Sequence, residues 1–346
     1  MAEIVVGIGT SHSPVLSNPP EHMPAYAAND RRNKQLLKPP SGSLMTYDEL
    51  EASADPETRR EGSNPDFEGQ HQRYTKAIDT LAETMERAKP DVVVIFGDDQ
   101  EELYFDDNMP MLSIYWGETV PWIARSFGGG RQAPFAWGYG DKTMDYPVDS
   151  ALARHLIDSL IEADFDVAQS RYLNAESGGH VGPVGYISSQ WDTNPKPQGL
   201  VHAYAFVLKR ILRENMTPIV PITINTCYPP NQITPRRAYA LGRAVRRAIA
   251  DWDSSKRVAV VGSGGLSHFV VDEELDRMVL DLMRTRNAEG LASLPRERLN
   301  SATSEIRNWI AAAGALEHLD MEIVDYIPAR RTPAGTGGGW GFARWQ

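Results

Sequence analysis

The apolar residues of this sequence are grouped in two ways. Short runs rich in β-branched residues predict buried strands at residues 4–8, 91–96, 111–116, 218–225 and 257–261. Apolar residues at three- and four-residue steps predict amphipathic helices at residues 66–88, 149–163, 201–214, 235–251, 275–288 and 301–314. Because helices and strands alternate, we expect an α/β fold, a single large sandwich domain with a central mixed sheet flanked by helices.

Three segments do not follow either pattern. Residues 17–66 carry many prolines, charges and small polar residues, which predicts an irregular insertion with short helical pieces, either a lid or a subunit contact. The glycines and prolines of residues 174–199, a segment that includes His180, predict a loop that is long enough to be functional. The tail at residues 330–342 is too rich in glycine for a core element. We expect one domain over residues 1–346, with the insertion at about 17–66.

Composition narrows the classes of partner. The net charge of −11 argues against binding to nucleic acid or to an anionic membrane surface. No run of about 18 apolar residues could span a bilayer, and no basic region precedes an apolar segment at the N-terminus. The single cysteine, Cys227, excludes an intrachain disulfide and a cysteine-based zinc site. We therefore expect a cytoplasmic protein.

Polar side chains follow three of the predicted strands. Ser11-His12 follows the first strand, the stretch 98–100 follows the second, and His268 follows Gly262-Ser263-Gly264-Gly265 with Glu273-Glu274 beyond it. If the strands are neighbours, these groups converge at one edge of the sheet. Imidazole and carboxylate ligands suit Fe(II), Mn(II) or Zn(II), and two imidazoles with one carboxylate would leave positions open for oxygen and substrate.

His202 lies at or near the start of a predicted helix, where the helix dipole favours a neutral imidazole that can accept a proton.

Nucleophilic hydrolysis and dinucleotide binding have weaker support. No serine occupies a G-x-S-x-G turn, and Cys227 has no neighbouring base. The stretch Gly7-Ile8-Gly9 lacks the third glycine of a dinucleotide-binding turn.

The order of these motifs resembles that of a known family. The pattern consists of Ser11-His12-Ser13-Pro14, then Gly97-Asp98-Asp99-Gln100, His202 at a helix start, Tyr228-Pro229-Pro230, and Gly264-Gly265-Leu266-Ser267-His268 with Glu274-Leu275-Asp276. It resembles the class III extradiol ring-cleavage dioxygenases of the catalytic (beta) subunit type. The insertion, the Gly-Asp-Asp-Gln stretch and the tail look closest to the 3-O-methylgallate dioxygenase branch.

The resemblance implies a role for four residues. His12 matches the first iron ligand, and Glu274, rather than its neighbour Glu273, matches the ligating glutamate. His202, rather than His180, matches the general base, and His268 would line the pocket.

In the family, a second ligating histidine follows an aspartate at the end of the second strand. At that position this sequence has Gln100. Either Gln100 ligates, or Asp98 or Asp99 substitutes, or His71 reaches in from the insertion, or iron binding is weak or absent.

The implied activity is Fe(II)-dependent cleavage of a catechol-type aromatic acid by O2, with Mn(II) or Zn(II) as less favoured metals. The partners would be the aromatic substrate and O2, in a homo-oligomer, with a small partner subunit as a further option. Arg236, Arg237 or Arg331 could hold a substrate carboxylate. Two other classes remain open: a metal-binding relative without catalysis, and a metal-dependent hydrolase.

Overall fold

The computed structural model describes residues 1–123, 142–173 and 199–346. Within them, one mixed sheet has the strand order β11-β13-β1-β10-β4-β9-β5-β8, and β12 pairs with β13. Its strands are β1 (Glu3–Thr10), β4 (Val92–Asp98), β5 (Leu112–Tyr115), β8 (Ala168–Ser170), β9 (Ile219–Ile224), β10 (Arg257–Ser263), β11 (His268–Val270), β12 (Met321–Arg330) and β13 (Thr336–Trp345). The predicted mixed α/β architecture is confirmed.

The centre of the sheet is parallel. Strands β1, β10, β4 and β9 run in one direction, whereas β5 is antiparallel to β9 and β13 is antiparallel to β1. Both faces are covered, so Val93 and Ile95 of β4 lie in one core while Val92, Val94 and Phe96 lie in the other. For this reason the strand segments of the sequence are continuous apolar runs, without the alternation of apolar and polar residues that a half-exposed strand shows.

Helices cover both faces of the sheet. One core contains side chains of α5 (Ser150–Glu162), α7 (Pro235–Asp251), α8 (Glu273–Arg284), α9 (Ala288–Ala292) and α10 (Ile306–Ala315). The other contains side chains of α4 (Phe67–Ala88) and α6 (His202–Phe206), which continues as a π-helical turn at Val207–Ile211. The regular part of the helix predicted at residues 201–214 is therefore short.

The predicted insertion is a layer of short elements over the β11 end of the sheet. It contains α1 (Met23–Asn29), the hairpin of β2 (Leu36–Lys38) and β3 (Ser43–Met45), α2 (Tyr47–Ser53) and α3 (Pro56–Ser63). Leu36, Tyr47 and Leu50 pack against Val270 of β11 in a small separate core. Asp30 accepts two hydrogen bonds of 2.7 Å from Arg331. The insertion is thus joined to the sheet by an apolar contact and a buried ion pair.

The prediction for the glycine-rich tail was wrong, because most of it forms the buried strand β13. Glycine is required here by close packing. A Cβ atom on Gly339 would lie 1.9 Å from Asp276 Oδ2, and one on Gly341 would lie 2.7 Å from Leu266 Cδ1. The glycines let β13 approach side chains that lie behind it.

The predicted loop at residues 174–199 and the expected absence of a membrane-spanning segment are the two remaining expectations. His180, with residues 174–198 of the predicted loop, lies outside the described residues. A short two-stranded sheet, β6 (Thr119–Trp122) with β7 (Met144–Pro147), lies at the boundary of the other gap. Among the helices that the structure describes, none is both long and apolar enough to cross a membrane.

Candidate metal centre and its histidines

Three ligand-type side chains meet beyond the carboxyl ends of the central strands. His12 lies two residues after β1, Asp98 ends β4, and Glu305 ends the 3-10 turn at Ser301–Glu305 before α10. All three are buried, and one ligand atom from each lies within 4.8 Å of the others. His12 Nε2 is 3.3 Å from Glu305 Oε2 and 3.9 Å from Asp98 Oδ1. The convergence arises because β1 and β4 both flank β10 in parallel.

His12 presents a lone pair to this cluster. The Ser263 hydroxyl donates to the Ala203 carbonyl oxygen at 2.6 Å, so it accepts the bond of 3.0 Å from His12 Nδ1. The proton on Nδ1 leaves Nε2 as the unprotonated nitrogen of a neutral ring. Burial lowers the pKa of His12 to about 3, despite the nearby Glu305 carboxylate. Nε2 is buried and has no hydrogen-bond partner, as expected of a metal-ligand atom.

The two carboxylates of the cluster respond differently to burial. Burial favours the neutral form of Glu305, but His268 and His12 outweigh it and lower the pKa of Glu305 to about 2. Burial and the Glu305 charge raise the pKa of Asp98 well above its usual value. Two carboxylates this close need a shared proton or a cation between them. The donor set therefore fits a divalent metal ion.

Gln100 contacts the carboxylates rather than the imidazole. Its Nε2 donates to Glu305 Oε1 at 2.6 Å and lies 3.5 Å from Asp98 Oδ2. The ionised Glu305 carboxylate only accepts hydrogen bonds, so the Gln100 amide NH2 group must face it. The Gln100 amide therefore contacts both carboxylates, and the Asp98 carboxylate in turn lies 3.9 Å from His12 Nε2.

The structure places Glu274 away from the cluster. It lies in the first turn of α8 with a side chain that is 70% exposed, and it accepts a hydrogen bond of 3.1 Å from Arg298. Glu273 also points outward, to Arg277 and Arg330. The glutamate that lies beside His12 in the structure is Glu305.

Sequence reasoning missed Glu305 because it lies within a segment predicted as a helix. One signal was present: it is the one acidic residue between Glu297 and Glu317.

His268 completes the surroundings of Glu305. Its Nδ1 donates to the Leu266 carbonyl oxygen at 3.0 Å, and its Nε2 lies 3.3 Å from Glu305 Oε1. Burial alone would lower the pKa of His268, but the Glu305 carboxylate raises it above the usual value. The structure therefore brings His268 to the cluster, as a partner of the carboxylate.

His202 lies on the other side of His12. The two rings pack edge to face with centroids 4.7 Å apart. His202 begins α6, and its Nδ1 donates a short hydrogen bond to Glu102 Oε1. Burial would lower the pKa of His202, but the Glu102 carboxylate raises it to about 9. Sequence reasoning missed Glu102, although it belongs to the acidic stretch that follows β4.

The remaining candidates have other partners. Asp99 accepts hydrogen bonds from the backbone N–H groups of residues 102, 103 and 104 at 3.1, 2.9 and 3.0 Å. His71 lies on α4 against the ring of Tyr74. The three arginines proposed for a substrate carboxylate bind Glu289, the Asp164 carbonyl oxygen and Asp30, in the order Arg236, Arg237 and Arg331.

Comparison with known proteins identifies the family. Residues 51–336 match the family described as the catalytic LigB subunit of aromatic ring-opening dioxygenase. A 2,3-dihydroxyphenylpropionate/2,3-dihydroxicinnamic acid 1,2-dioxygenase of Cupriavidus necator is 31% identical over 179 residues, which is 52% of this chain and 44% of that protein. The protein of the same name from Paraburkholderia xenovorans is 27% identical over 237 residues, or 67% and 61% of the two chains.

The chain thus spans about half the length of the curated relatives that it matches. A solved structure, an uncharacterised protein of Escherichia coli K12, has a TM-score of 0.42 and 14% identity, covering 78% of this chain and 91% of that one. The match over residues 51–336 establishes that this chain belongs to the family of catalytic LigB subunits of aromatic ring-opening dioxygenases.

Proposed function

We propose that this chain is a non-haem, Fe(II)-dependent extradiol dioxygenase that opens the ring of a catechol-type aromatic acid with O2. The observation that carries the proposal is the convergence of His12, Asp98 and Glu305 beside the buried His202. Family membership supports the reaction class. The described chain would act as one catalytic domain.

His12, Asp98 and Glu305 would hold the metal ion. The donors comprise one neutral imidazole and two carboxylates, whose combined charge of about −2 matches a divalent cation. When bound, the ion supplies the Lewis acidity and the redox chemistry that ring opening by O2 requires. We propose Fe(II) as this ion, with Mn(II) and Zn(II) as the competing candidates.

His202 would move the substrate proton. Its Nδ1–H group is engaged by Glu102, so the ring exchanges its second proton through Nε2. The charge of a divalent ion held beside His12 would lower the pKa of His202 again. Its Nε2 could then accept the proton of a substrate hydroxyl and later return it as an acid. His268 would line the pocket on the side of Glu305 and hold that carboxylate in place.

The substrate we propose is gallate, 3-O-methylgallate or a protocatechuate-like acid, with a place in the 3-O-methylgallate branch. The sequence motifs named above favour these acids. The relatives are named for 2,3-dihydroxyphenylpropionate instead, which makes this phenol the obvious fourth substrate to test.

Oxygen consumption tests the proposal directly. The metal-free protein is loaded anaerobically with Fe(II), Mn(II) or Zn(II), and O2 uptake and the absorbance of a ring-fission product are followed with each of the four acids. We expect O2 uptake with Fe(II) in a 1:1 ratio to product. His202→Ala should keep its bound iron and lose turnover, because the ligands remain while the proton acceptor is gone.

Other outcomes separate the rival functions. Turnover that does not consume O2 would indicate a metal-dependent hydrolase, and metal binding without any turnover would indicate a non-catalytic relative. Unchanged turnover in His202→Ala would refute the acid–base role.

A further inference from the structure

The hydrogen bond between Glu102 and His202 links the loop after β4 to the first residue of α6, which is distant in sequence. Both side chains are about one-twentieth exposed, so the pair is shielded from water. Glu102 Oε1 accepts from His202 Nδ1, and a carboxylate does not serve as the donor in this bond. The contact therefore sets the tautomer of His202 as well as the orientation of its ring.

The loop that carries Glu102 is held at both ends. The Asp99 carboxylate accepts three backbone N–H groups, including that of Glu102 itself at 3.1 Å. Farther along, the Tyr104 hydroxyl forms a bond of 2.8 Å with Ser113 Oγ of β5. These bonds fix the loop between the end of β4 and the neighbouring strand. Glu102 is thus presented to His202 by a loop that hydrogen bonds anchor on both sides of it.

The backbone beside Glu102 adopts an uncommon conformation. Glu101 has φ of 56°, in the left-handed region that non-glycine residues avoid. Such a conformation is strained for a non-glycine residue and persists where the surroundings enforce it. Here it lies between Gln100, which contacts the cluster, and Glu102, which contacts His202. One short loop therefore supports both parts of the site.

From this geometry we propose that Glu102 is the positioning residue of the acid–base histidine, an inference that rests on the proposed function. Its carboxylate keeps the Nδ1 proton of His202 in place and directs Nε2 to the substrate hydroxyl. When Nε2 accepts the substrate proton, the ring becomes positively charged, and the adjacent carboxylate stabilises that charge. When the ring returns the proton, it becomes neutral again and keeps its Nδ1–H bond.

Two substitutions separate positioning from packing. Glu102→Leu preserves the approximate volume and removes the acceptor, whereas Glu102→Gln preserves an acceptor oxygen and removes the charge. Asp106→Asn, on the exposed part of the same loop, is the matched control. All variants are compared after iron loading, with metal content and circular dichroism measured to verify the fold.

We expect Glu102→Leu to lower kcat about 100-fold with KM within twofold of the wild type, because substrate binding does not use the His202 proton. Glu102→Gln should recover part of the loss, to about tenfold below the wild type. Asp106→Asn should match the wild type. A kcat within threefold of the wild type in Glu102→Leu would overturn the inference, and so would equal losses in the Leu and Gln variants.

A second measurement does not depend on turnover. In metal-free protein, a histidine N–H group bonded to a carboxylate gives a proton NMR signal far downfield of the amide region. We expect this signal in the wild type and in Asp106→Asn, and its loss in both Glu102→Leu and His202→Gln. Absence of the signal from the wild type would overturn the inference. Its presence in a protein that consumes no O2 would instead refute the proposed dioxygenase function alone.

Discussion

Exchanging either of two glutamates for glutamine tests which one binds the metal. Glu305 is buried and accepts hydrogen bonds from Gln100 at 2.6 Å and from the Gly265 N–H group at 2.5 Å. Glu274 is 70% exposed and bound to Arg298. The resemblance to the family implies Glu274 as the ligand, whereas we propose Glu305.

The expected magnitude follows from charge and burial. A unit charge interacts with another at 4 Å by about 4 kcal/mol at an effective dielectric constant of 20, and a divalent ion doubles this. Part of that energy offsets the desolvation of the ion. We therefore expect Glu305→Gln to weaken Mn(II) binding about 100- to 1,000-fold, or about 3–4 kcal/mol. Glu274 is screened by water, so Glu274→Gln should change the affinity less than twofold.

Electron paramagnetic resonance of free Mn(II) measures both affinities. Metal-free wild type, Glu305→Gln and Glu274→Gln are titrated at the same pH and ionic strength, and urea unfolding verifies that each variant is folded. A loss of affinity in Glu274→Gln that equals or exceeds the loss in Glu305→Gln would refute the assignment of Glu305.

Two further predictions concern stability. Asp30→Ala leaves the buried Arg331 guanidinium without its carboxylate and should reduce the free energy of unfolding by about 3–5 kcal/mol in urea. The double variant with Arg331→Met should recover much of this, and a loss below about 1 kcal/mol would contradict the prediction. Burial raises the pKa of Asp276 from 3.8 to about 7, against the opposing hydrogen bonds from Ser267 and Tyr326. The native carboxyl thus binds more protons than the unfolded one between these values, so stability should fall by up to about 4 kcal/mol as the pH rises from 4 to 7. Asp276→Asn should remove that slope, and an unchanged slope in chemical denaturation would contradict the assignment.

The central fold could be predicted because its elements carry local signals. The runs at β1, β4, β9 and β10 are β-branched and uninterrupted, and Pro235 at the start of α7 is a reliable helix signal. The strand β13 could not be predicted, because its glycines contribute to packing only once Asp276 and Leu266 lie behind them. Tertiary contact overrides local propensity at that strand.

The site could be predicted only in part, for a related reason. His12 and the stretch after β4 follow strands, and the ends of parallel strands share one edge of the sheet. Glu305 precedes a helix instead, and its approach to His12 depends on how α10 packs across the sheet. The pairing of Glu102 with His202 likewise joins a loop to a helix start 100 residues away, a spacing that carries no periodic signal.

The position of β13 affects the order in which the protein can fold. Gly7 of β1 pairs with Trp345 of β13, so the strand that leads to His12 lacks one neighbour until a residue 338 positions later has been synthesised. Contacts of such high sequence separation slow folding. During synthesis on the ribosome, the open edge of β1 offers unpaired backbone groups to other chains. A chaperone that covers this edge would therefore increase the yield of assembled metal sites without touching any of the ligands.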